Sequence, residues 1–164
     1  MKRLLAALVL FCALGCQNKD IVTVTDASVL GIERRLPMLK KIEKEISGRS
    51  TEGGTLSGYY ENVNLMKMKA EFFGEMGKSS LHFYFKDQKL IYAFEETYMY
   101  NAPIYMDAQT AKVMGVEAFD VNKTRLNENE YYFNDDKQIK WISDKTEMRE
   151  HKEALRQTAQ RLLS

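Results

Sequence analysis

The sequence predicts an α+β fold, in which an antiparallel meander sheet of about six strands is covered by an N-terminal and a C-terminal helix. Three observations support this. Residues 55–100 alternate with period two, short polar turns interrupt the alternation, and helical periodicity flanks it on both sides. Short connections make neighbouring strands antiparallel. A chain of 164 residues is expected to form one domain with one core.

Three runs within this stretch are the central predicted strands. Apolar side chains share one face of each run: Met66, Met68, Ala70 and Phe72; then Leu81, Phe83 and Phe85; then Leu90, Tyr92 and Phe94. We expect this face to be the buried one, because half-buried strands alternate in this way. The turns at 61–64, 74–77 and 86–89 carry the Gly, Asn and Asp that tight turns favour.

An aromatic pair, a polar turn and an aliphatic residue occur in this order three times. The pairs are Tyr59-Tyr60, Tyr84-Phe85 and Tyr132-Phe133, and the aliphatic residues are Leu65, Leu90 and Ile139, the third turn being one residue longer. We interpret the pattern as three hairpin units, and chance similarity between aromatic hairpins is the alternative. It resembles the aromatic hairpin repeats of bacterial envelope lipoproteins and of MORN-like modules, but it lacks the regular turn glycine of MORN repeats.

A first helix is predicted over residues 32–47. Apolar residues at spacings of three and four define its stripe: Leu36, Leu39, Ile42 and Ile46. Pro37 restricts this helix, which either begins near Leu36 or kinks there. A short helix over 107–115 and a last hairpin over 129–142 follow the central strands.

The C-terminal helix is predicted over residues 144–164. Asp144 is placed to cap it, and Glu147 completes a capping box three positions later. Its apolar stripe, expected to lie across the sheet, consists of Met148, Leu155, Ala159 and Leu162.

Residues 1–15 are predicted to be a signal peptide. Two basic residues precede an apolar run from Leu4 to Leu14, which is shorter than the roughly 20 residues of a membrane span. The run ends in Ala13-Leu14-Gly15-Cys16, which resembles a bacterial lipobox, with Ala13 where Leu is more usual. The resemblance implies cleavage between Gly15 and Cys16 and attachment of a diacylglyceryl group to Cys16. The acyl chains would anchor the protein in a membrane.

The resemblance also implies a location and a domain division. Gln17 rather than Asp follows the cysteine, which favours the outer membrane of a Gram-negative envelope, on its periplasmic or its surface side. Residues 16–31 would be a lipidated tether and residues 32–164 a single α+β domain. Cys12 would leave with the signal peptide and Cys16 would carry lipid, so we expect no disulfide.

The composition argues against several classes of function. The formal net charge is +1, which gives no basic excess for nucleic acid. The two histidines, His82 on the polar face of a strand and His151 in the C-terminal helix, are expected to be solvated. Ser80 shares a face with His82 but no third partner is evident, so we expect no serine nucleophile. We expect no catalytic residues, no metal site and no cofactor.

An aromatic cluster around Pro103 is the candidate binding surface: Tyr98, Tyr100, Tyr105 and Met106. Aromatic and Met side chains are enriched at interfaces. The alternative is that these residues close the open end of the sheet.

The chain is therefore expected to be a non-enzymatic envelope lipoprotein that binds or scaffolds another envelope protein. Two alternatives remain: a binder of small ligands or glycans on the aromatic sheet face with Trp141, and a hydrolase with two carboxylates about 5–9 Å apart. Glu95 and Glu96 are a poor pair for the latter, because adjacent strand residues point to opposite faces.

Overall fold

The computed structural model of the protein describes residues 21–48, 50–143 and 145–161. Seven antiparallel strands form one sheet in the order of the sequence. A helix over 21–35 precedes the sheet and another over Lys145–Arg161 follows it. The predicted α+β meander is confirmed, with seven strands rather than six.

The elements have the following bounds. The strands are β1 (Lys40–Ile46), β2 (Gly54–Glu61), β3 (Asn64–Gly74), β4 (Gly77–Lys86), β5 (Lys89–Met99), β6 (Arg125–Asn134) and β7 (Lys137–Ile142). The helices are α1 (21–35), α2 (Ala108–Met114) and α3 (Lys145–Arg161), with short 3-10 helices at Leu36–Met38 and Val121–Lys123. The short helix and the last hairpin are confirmed, as is the C-terminal helix, although Asp144 lies outside the described residues.

The N-terminal helix predicted over 32–47 is wrong in position. Pro37 sits in the 3-10 turn that ends the helical segment, and residues 40–46 form the edge strand β1. Residues 21–31, expected as part of a tether, are instead helical and belong to the domain. Val22 and Val29 pack against the core, and Ile32 is only 2 % exposed.

Three hairpins share one construction. In each, the strand register shifts between the two residues of the aromatic pair: Tyr59/Tyr60, Tyr84/Phe85 and Tyr132/Phe133. Each shift leaves one extra residue on the partner strand, a β-bulge. These extra residues are Met66, Ile91 and Ile139, and all three pack against the core. The repeated pattern in the sequence therefore corresponds to a repeated backbone device.

The turn of the third hairpin is not longer than that of the second, contrary to expectation. Asp87-Gln88 and Asp135-Asp136 are both two-residue turns with positive φ at each residue, the type I′ geometry that matches strand twist. Ile139 therefore corresponds to the bulge residue Ile91, and not to Leu90.

The two faces of the sheet differ in chemistry. One row across the strands reads Lys41, Tyr59, Lys67, Tyr84, Tyr92, Tyr132 and Lys140, and the adjacent row on the opposite face reads Ile42, Gly58, Met68, Phe83, Ala93, Tyr131 and Trp141. The core consists of Tyr84, Tyr92, Tyr132 and Ile142 from the sheet, with Ile32 of α1 and Met148 of α3. The helices thus cover the tyrosine row, here called the helix face.

The expected buried face is therefore wrong for β3 and β4, where Met68 and Phe83 lie on the face opposite the helices. It is right for β5, where Tyr92 belongs to the core and Phe94 packs against it. Tyrosine gives a strand a polar pattern in the sequence, yet its ring is a large apolar body that packs well once its hydroxyl has a partner. The opposite face, here called the far face, is more exposed. Ile42 is 44 % and Trp141 57 % exposed, and a hollow of about 190 Å³ lies between Ile42, Leu56 and Tyr60.

The meander gives the domain two different ends. The hairpin-tip end carries the three turns at 62–63, 87–88 and 135–136. The distal end carries the loop at 47–53, the turn at 75–76 and the segment 100–124 that joins β5 to β6. The first described residue of helix α1 lies at the hairpin-tip end, where Ile21 borders a hollow with Lys86 and Phe133.

The left-handed backbone of Gln88 provides a test of the hairpin geometry. Gln88 has φ 63°, which a residue with a side chain adopts at a cost. Gln88→Gly is expected to raise the free energy of unfolding by about 1 kcal/mol. Lys89→Gly, one residue later in the strand, is expected to lower it by about 0.5–1 kcal/mol. Urea unfolding followed by circular dichroism measures both, and a loss of stability in the Gln88 variant would contradict the type I′ turn.

Candidate functional site

The four residues of the predicted binding surface do not form one surface. Tyr98 lies on the helix face near the distal end, where Lys78 Nζ is 4.7 Å from its ring centroid and its hydroxyl donates to Glu96 at 3.1 Å. Tyr105 is 61 % exposed, and its hydroxyl lies 3.3 Å from Glu75 Oε2.

Tyr100 and Met106 have packing roles instead. The Tyr100 ring packs edge-on against Phe119, with centroids 5.2 Å apart. Met106 is only 7 % exposed and forms a small separate core with Ala102 and Ala111. The prediction that Met106 belongs to an exposed surface is wrong, because the segment 100–124 is long enough to build a core of its own.

Backbone hydrogen bonds fix this segment against the distal end of the sheet. Tyr100 N donates to Met76 O and Ile104 N donates to Glu75 O, each at 2.9 Å. Asn101 joins the beginning of the segment to its end, since its Nδ2 donates to Ala118 O and its Oδ1 accepts from Asp120 N. The segment closes the end of the sheet, as the alternative interpretation predicted.

The distal end nevertheless exposes an unusual number of apolar side chains. Of the thirteen large apolar side chains that are exposed among the described residues, eight belong to it: Phe73, Met76, Ile104, Tyr105, Val113, Met114, Val116 and Val121. A hollow of about 390 Å³ at the same end is lined in part by Phe73, Met76, Tyr98 and Met99. Concentrated apolar exposure is typical of an interaction site.

A cluster of titratable groups joins both helices to the sheet. Tyr132, on β6, donates its hydroxyl to Asp26 Oδ1 of α1 at 2.9 Å. His151 Nε2 of α3 lies 2.5 Å from the same hydroxyl and 3.3 Å from Glu130 Oε2. Tyr132 is fully buried and Glu130 is 1 % exposed. One tyrosine hydroxyl therefore bridges the first helix, the last helix and the sheet.

Burial shifts the pKa values of this cluster. Desolvation raises the pKa of Glu130 to about 7, with the nearby Asp26 carboxylate as the next cause. Desolvation also raises the pKa of Asp26 to about 6, against the Tyr132 hydrogen bond, which lowers it. The pKa of His151 is lowered, again by burial. The His151 side chain is thus 13 % exposed and not the solvated one that the sequence predicts.

A second polar contact fixes the other half of α1. Glu33 Oε1 accepts from Lys67 Nζ and from the Tyr84 hydroxyl, both at 2.6 Å. Lys67 Nζ lies 5.0 Å from the centroid of the Tyr84 ring. Arg35 then pairs with Glu61 at 2.6 Å. Helix α1 therefore crosses the sheet from β6 to β2 along the tyrosine row.

The Ser80–His82 pair does acquire an acidic neighbour, but not a catalytic geometry. Ser80 Oγ lies 2.9 Å from His82 Nε2, and Glu96 Oε2 lies 3.8 Å from the same nitrogen. A serine triad needs the acid and the serine on different ring nitrogens. Burial and the nearby Lys67 lower the pKa of His82 to about 4, so it is a weak base near neutral pH. The expectation of a solvated His82 is wrong.

A cluster of aromatic and polar side chains lies on the far face at β5, β6 and β7. Tyr131 and Trp141 lie parallel, with centroids 6.3 Å apart and an interplanar angle of 5°. Asn129 Oδ1 accepts from Trp141 Nε1 at 3.1 Å, and Glu95 Oε2 accepts from both Asn129 and Tyr131 at 3.2 Å. Aromatic rings beside an amide and a carboxylate offer both stacking and hydrogen bonding to a ligand.

Among the described residues, Asp26 and Glu130 are a pair of carboxylates whose pKa values are strongly raised. Their side chains are 17 % and 2 % exposed, and both meet at the Tyr132 hydroxyl between helices and sheet. Both carboxylates also lie near His151 Nε2, at 3.6 and 3.3 Å, so the pair joins α1 and the sheet to α3. Glu95 and Glu96 lie on opposite faces of β5, as the alternation predicts.

The sequence did not identify Asp26, Glu33 or Glu130 as important residues. A signal was present for the first two, since Val22, Thr25, Val29 and Ile32 follow helical spacing and place both acids beside the buried stripe. Glu130 has no such signal, because its burial depends on His151 and Asp26, which are distant in the chain.

Other predicted features fall partly outside the described residues. Gly15 and Cys16 of the predicted lipobox lie there, as does Leu162, and the side chains of Leu155 and Ala159 are not described either. Over 21–48, 50–143 and 145–161, no group of three or more His, Cys, Asp or Glu side chains could hold a metal ion. In that same part of the chain, no helix is both long and apolar enough to cross a membrane.

Comparison of the chain with protein families, with curated proteins and with solved structures finds no match.

The pH dependence of stability tests the buried cluster. The pKa of Glu130 is about 7 in the folded protein against an ordinary value of 4.5, so between these values only the unfolded chain ionises and stability falls as pH rises. Glu130→Gln cannot ionise. The stability of this variant relative to wild type is expected to rise between about pH 5 and pH 8, by up to about 3 kcal/mol.

Glu43→Gln on the edge strand is the matched control. The stability of this variant relative to wild type is expected to change with pH in the opposite direction. Hydrogen bonds from Lys41 and Ser57 lower the pKa of Glu43, so this variant is expected to lose stability relative to wild type as pH rises through the acid range. Urea unfolding at a series of pH values gives both differences. A pH-independent difference for Glu130→Gln would show that Glu130 is not held in the folded state as described.

Proposed function

We propose that the protein is a lipid-anchored lipoprotein of the bacterial cell envelope, and that its domain binds another envelope protein without catalysis. The observation that carries the binding role is the concentration of exposed apolar side chains at the distal end, from Phe73 to Val121. The anchor rests on the resemblance of Ala13-Leu14-Gly15-Cys16 to a lipobox. An outer-membrane location follows from Gln17 after the cysteine, if the envelope is Gram-negative.

The geometry of the distal end supports a protein partner. The segment around Ile104 and Tyr105 is held to the sheet by backbone hydrogen bonds, so its exposed side chains are presented from a fixed backbone. Preorganised apolar and aromatic residues bind protein surfaces at low entropic cost. Tyr105 adds a hydroxyl that already faces Glu75, which places a polar group at the rim of the apolar area.

The titratable clusters support a non-enzymatic role. Asp26, Glu130, Tyr132 and His151 are engaged with one another between helices and sheet. Glu33 accepts from Lys67 and Tyr84 in the same way. Groups with shifted pKa values also occur in structural networks, and here their contacts account for how the helices are attached.

The far face supports a second candidate function, the binding of a glycan or another small ligand. Tyr131 and Trp141 stack beside Asn129 and Glu95, and Trp141 is 57 % exposed. It is also the only tryptophan of the chain, so its fluorescence emission would report a ligand at this face.

Site-specific photocrosslinking in cells tests the proposal. A photoreactive amino acid is placed at Tyr105 or Val113 on the distal end, and at Ile42 on the far face as the control. We expect the two distal positions to crosslink to the same envelope protein, and Ile42 not to. Val113→Ser together with Tyr105→Ser is expected to abolish recovery of that partner.

The same cells test the anchor. The wild-type protein is expected in the membrane fraction, with Cys16 unreactive toward maleimide because its sulfur carries lipid. Cys16→Ser is expected to carry no lipid and to keep its signal peptide, which intact mass measures. Recovery of the protein alone from every position would contradict the protein-binding role. A shift of Trp141 emission on adding oligosaccharides would then favour the second candidate.

A further inference from the structure

The position of Ile21 in α1 constrains how a lipid anchor could hold the domain. Helical structure is already present at Ile21, and five residue steps separate it from Cys16. Even a fully extended chain spans at most about 18 Å over this distance. Whatever surface surrounds Ile21 must therefore lie close to a membrane that holds lipid on Cys16.

The surface around Ile21 is the hairpin-tip end. Ile21 and Val24 border a hollow of about 300 Å³ together with Lys86, Phe133 and Asn134, which flank the turns of the second and third hairpins. The 3-10 turn after α1 returns to the same end, where Met38 borders a second hollow with Asn62 of the first turn.

This end also exposes apolar side chains of its own. Val63 at the first hairpin turn is 89 % exposed, Met38 is 77 % exposed and Val24 is 59 % exposed. Side chains of this kind enter the boundary between lipid headgroups and acyl chains. The surrounding charges are mixed in sign, with Lys89 paired to Asp135 at 2.5 Å, so the contact does not depend on anionic lipid.

If the strands run roughly perpendicular to the membrane with the hairpin tips against it, the distal end is too far away to touch the lipid. Strand β3 has 11 residues, which corresponds to about 33 Å from tip to distal end. That exceeds the reach of the segment between Cys16 and Ile21.

We propose that the hairpin-tip end, with Val24, Met38 and Val63, rests on the membrane that holds the Cys16 lipid, so that the distal end projects away from it. This inference rests on the proposed lipidation and adds the surface that faces the bilayer. It accounts for two separate apolar ends on one domain, one for lipid and the other for the partner.

Fluorescence quenching in vesicles tests this orientation. The full-length protein is produced with its lipid and reconstituted into vesicles of phosphatidylethanolamine and phosphatidylglycerol, some lipids carrying a nitroxide headgroup. A single introduced cysteine carries the fluorophore at Gln88 (hairpin tip), Val113 (distal end) or Lys44 (edge strand). We expect Gln88→Cys to lose most of its fluorescence, and Val113→Cys and Lys44→Cys to keep theirs.

A triple variant and its matched control test the apolar contact itself. Val24→Ser, Met38→Ser and Val63→Ser together are expected to reduce quenching of the Gln88 label while the protein still floats with the vesicles. Val113→Ser, Val116→Ser and Val121→Ser together are expected to leave that quenching unchanged.

The remaining outcomes separate this inference from the proposed function. Stronger quenching at Val113 would show the distal end against the lipid, and stronger quenching at Lys44 would show the domain lying on its side; either result overturns the orientation while the anchor stands. A wild-type protein that does not float, and whose Cys16 reacts with maleimide, would overturn the anchor and the orientation with it.

Discussion

The structure depends on the need of buried tyrosine hydroxyls for hydrogen-bond partners. A buried hydroxyl without a partner costs on the order of 1–3 kcal/mol. The sheet presents Tyr84 and Tyr132 from its centre, and the helices supply Glu33, Asp26 and His151 to satisfy them. Simple apolar packing would allow a helix to slide along the sheet, whereas these contacts fix α1 at two points and tie α3 to one of them.

This arrangement determines which surfaces remain for function. Because both helices cover the tyrosine row, the far face keeps Ile42 and Trp141 exposed. The edge strand β1 is almost entirely exposed and rich in lysine and glutamate, which disfavours pairing with further strands. The apolar exposure that is left is concentrated at the two ends of the strands, and the proposed membrane contact and partner site divide these ends between them.

The hairpins could be predicted from the sequence because their information is local. Nearby residues alone are enough to recognise turn residues such as Asp87 and Asp135 and the alternation around Tyr84. The prediction for residues 40–46 is wrong because Ile42 and Ile46 satisfy a helical spacing of four and a strand spacing of two equally well, and pairing with β2 decides between them. The covered face of β4 differs from the prediction because Tyr84 takes a polar position in the alternation but packs as an aromatic ring, whereas Tyr92 of β5 lies on the predicted face. The polar cluster could not be predicted, since Asp26 and Tyr132 are 106 positions apart.

The arrangement on which the rest of the fold depends is that the tyrosine face lies under the helices and the other face does not. Hydroxyl-radical footprinting of the folded protein, read out by mass spectrometry, tests it most directly. We expect slow oxidation of Tyr84, Tyr92 and Tyr132 and fast oxidation of Trp141, with the difference lost on unfolding in urea. Fast oxidation of Tyr132 together with protection of Trp141 would show that the helices cover the opposite face.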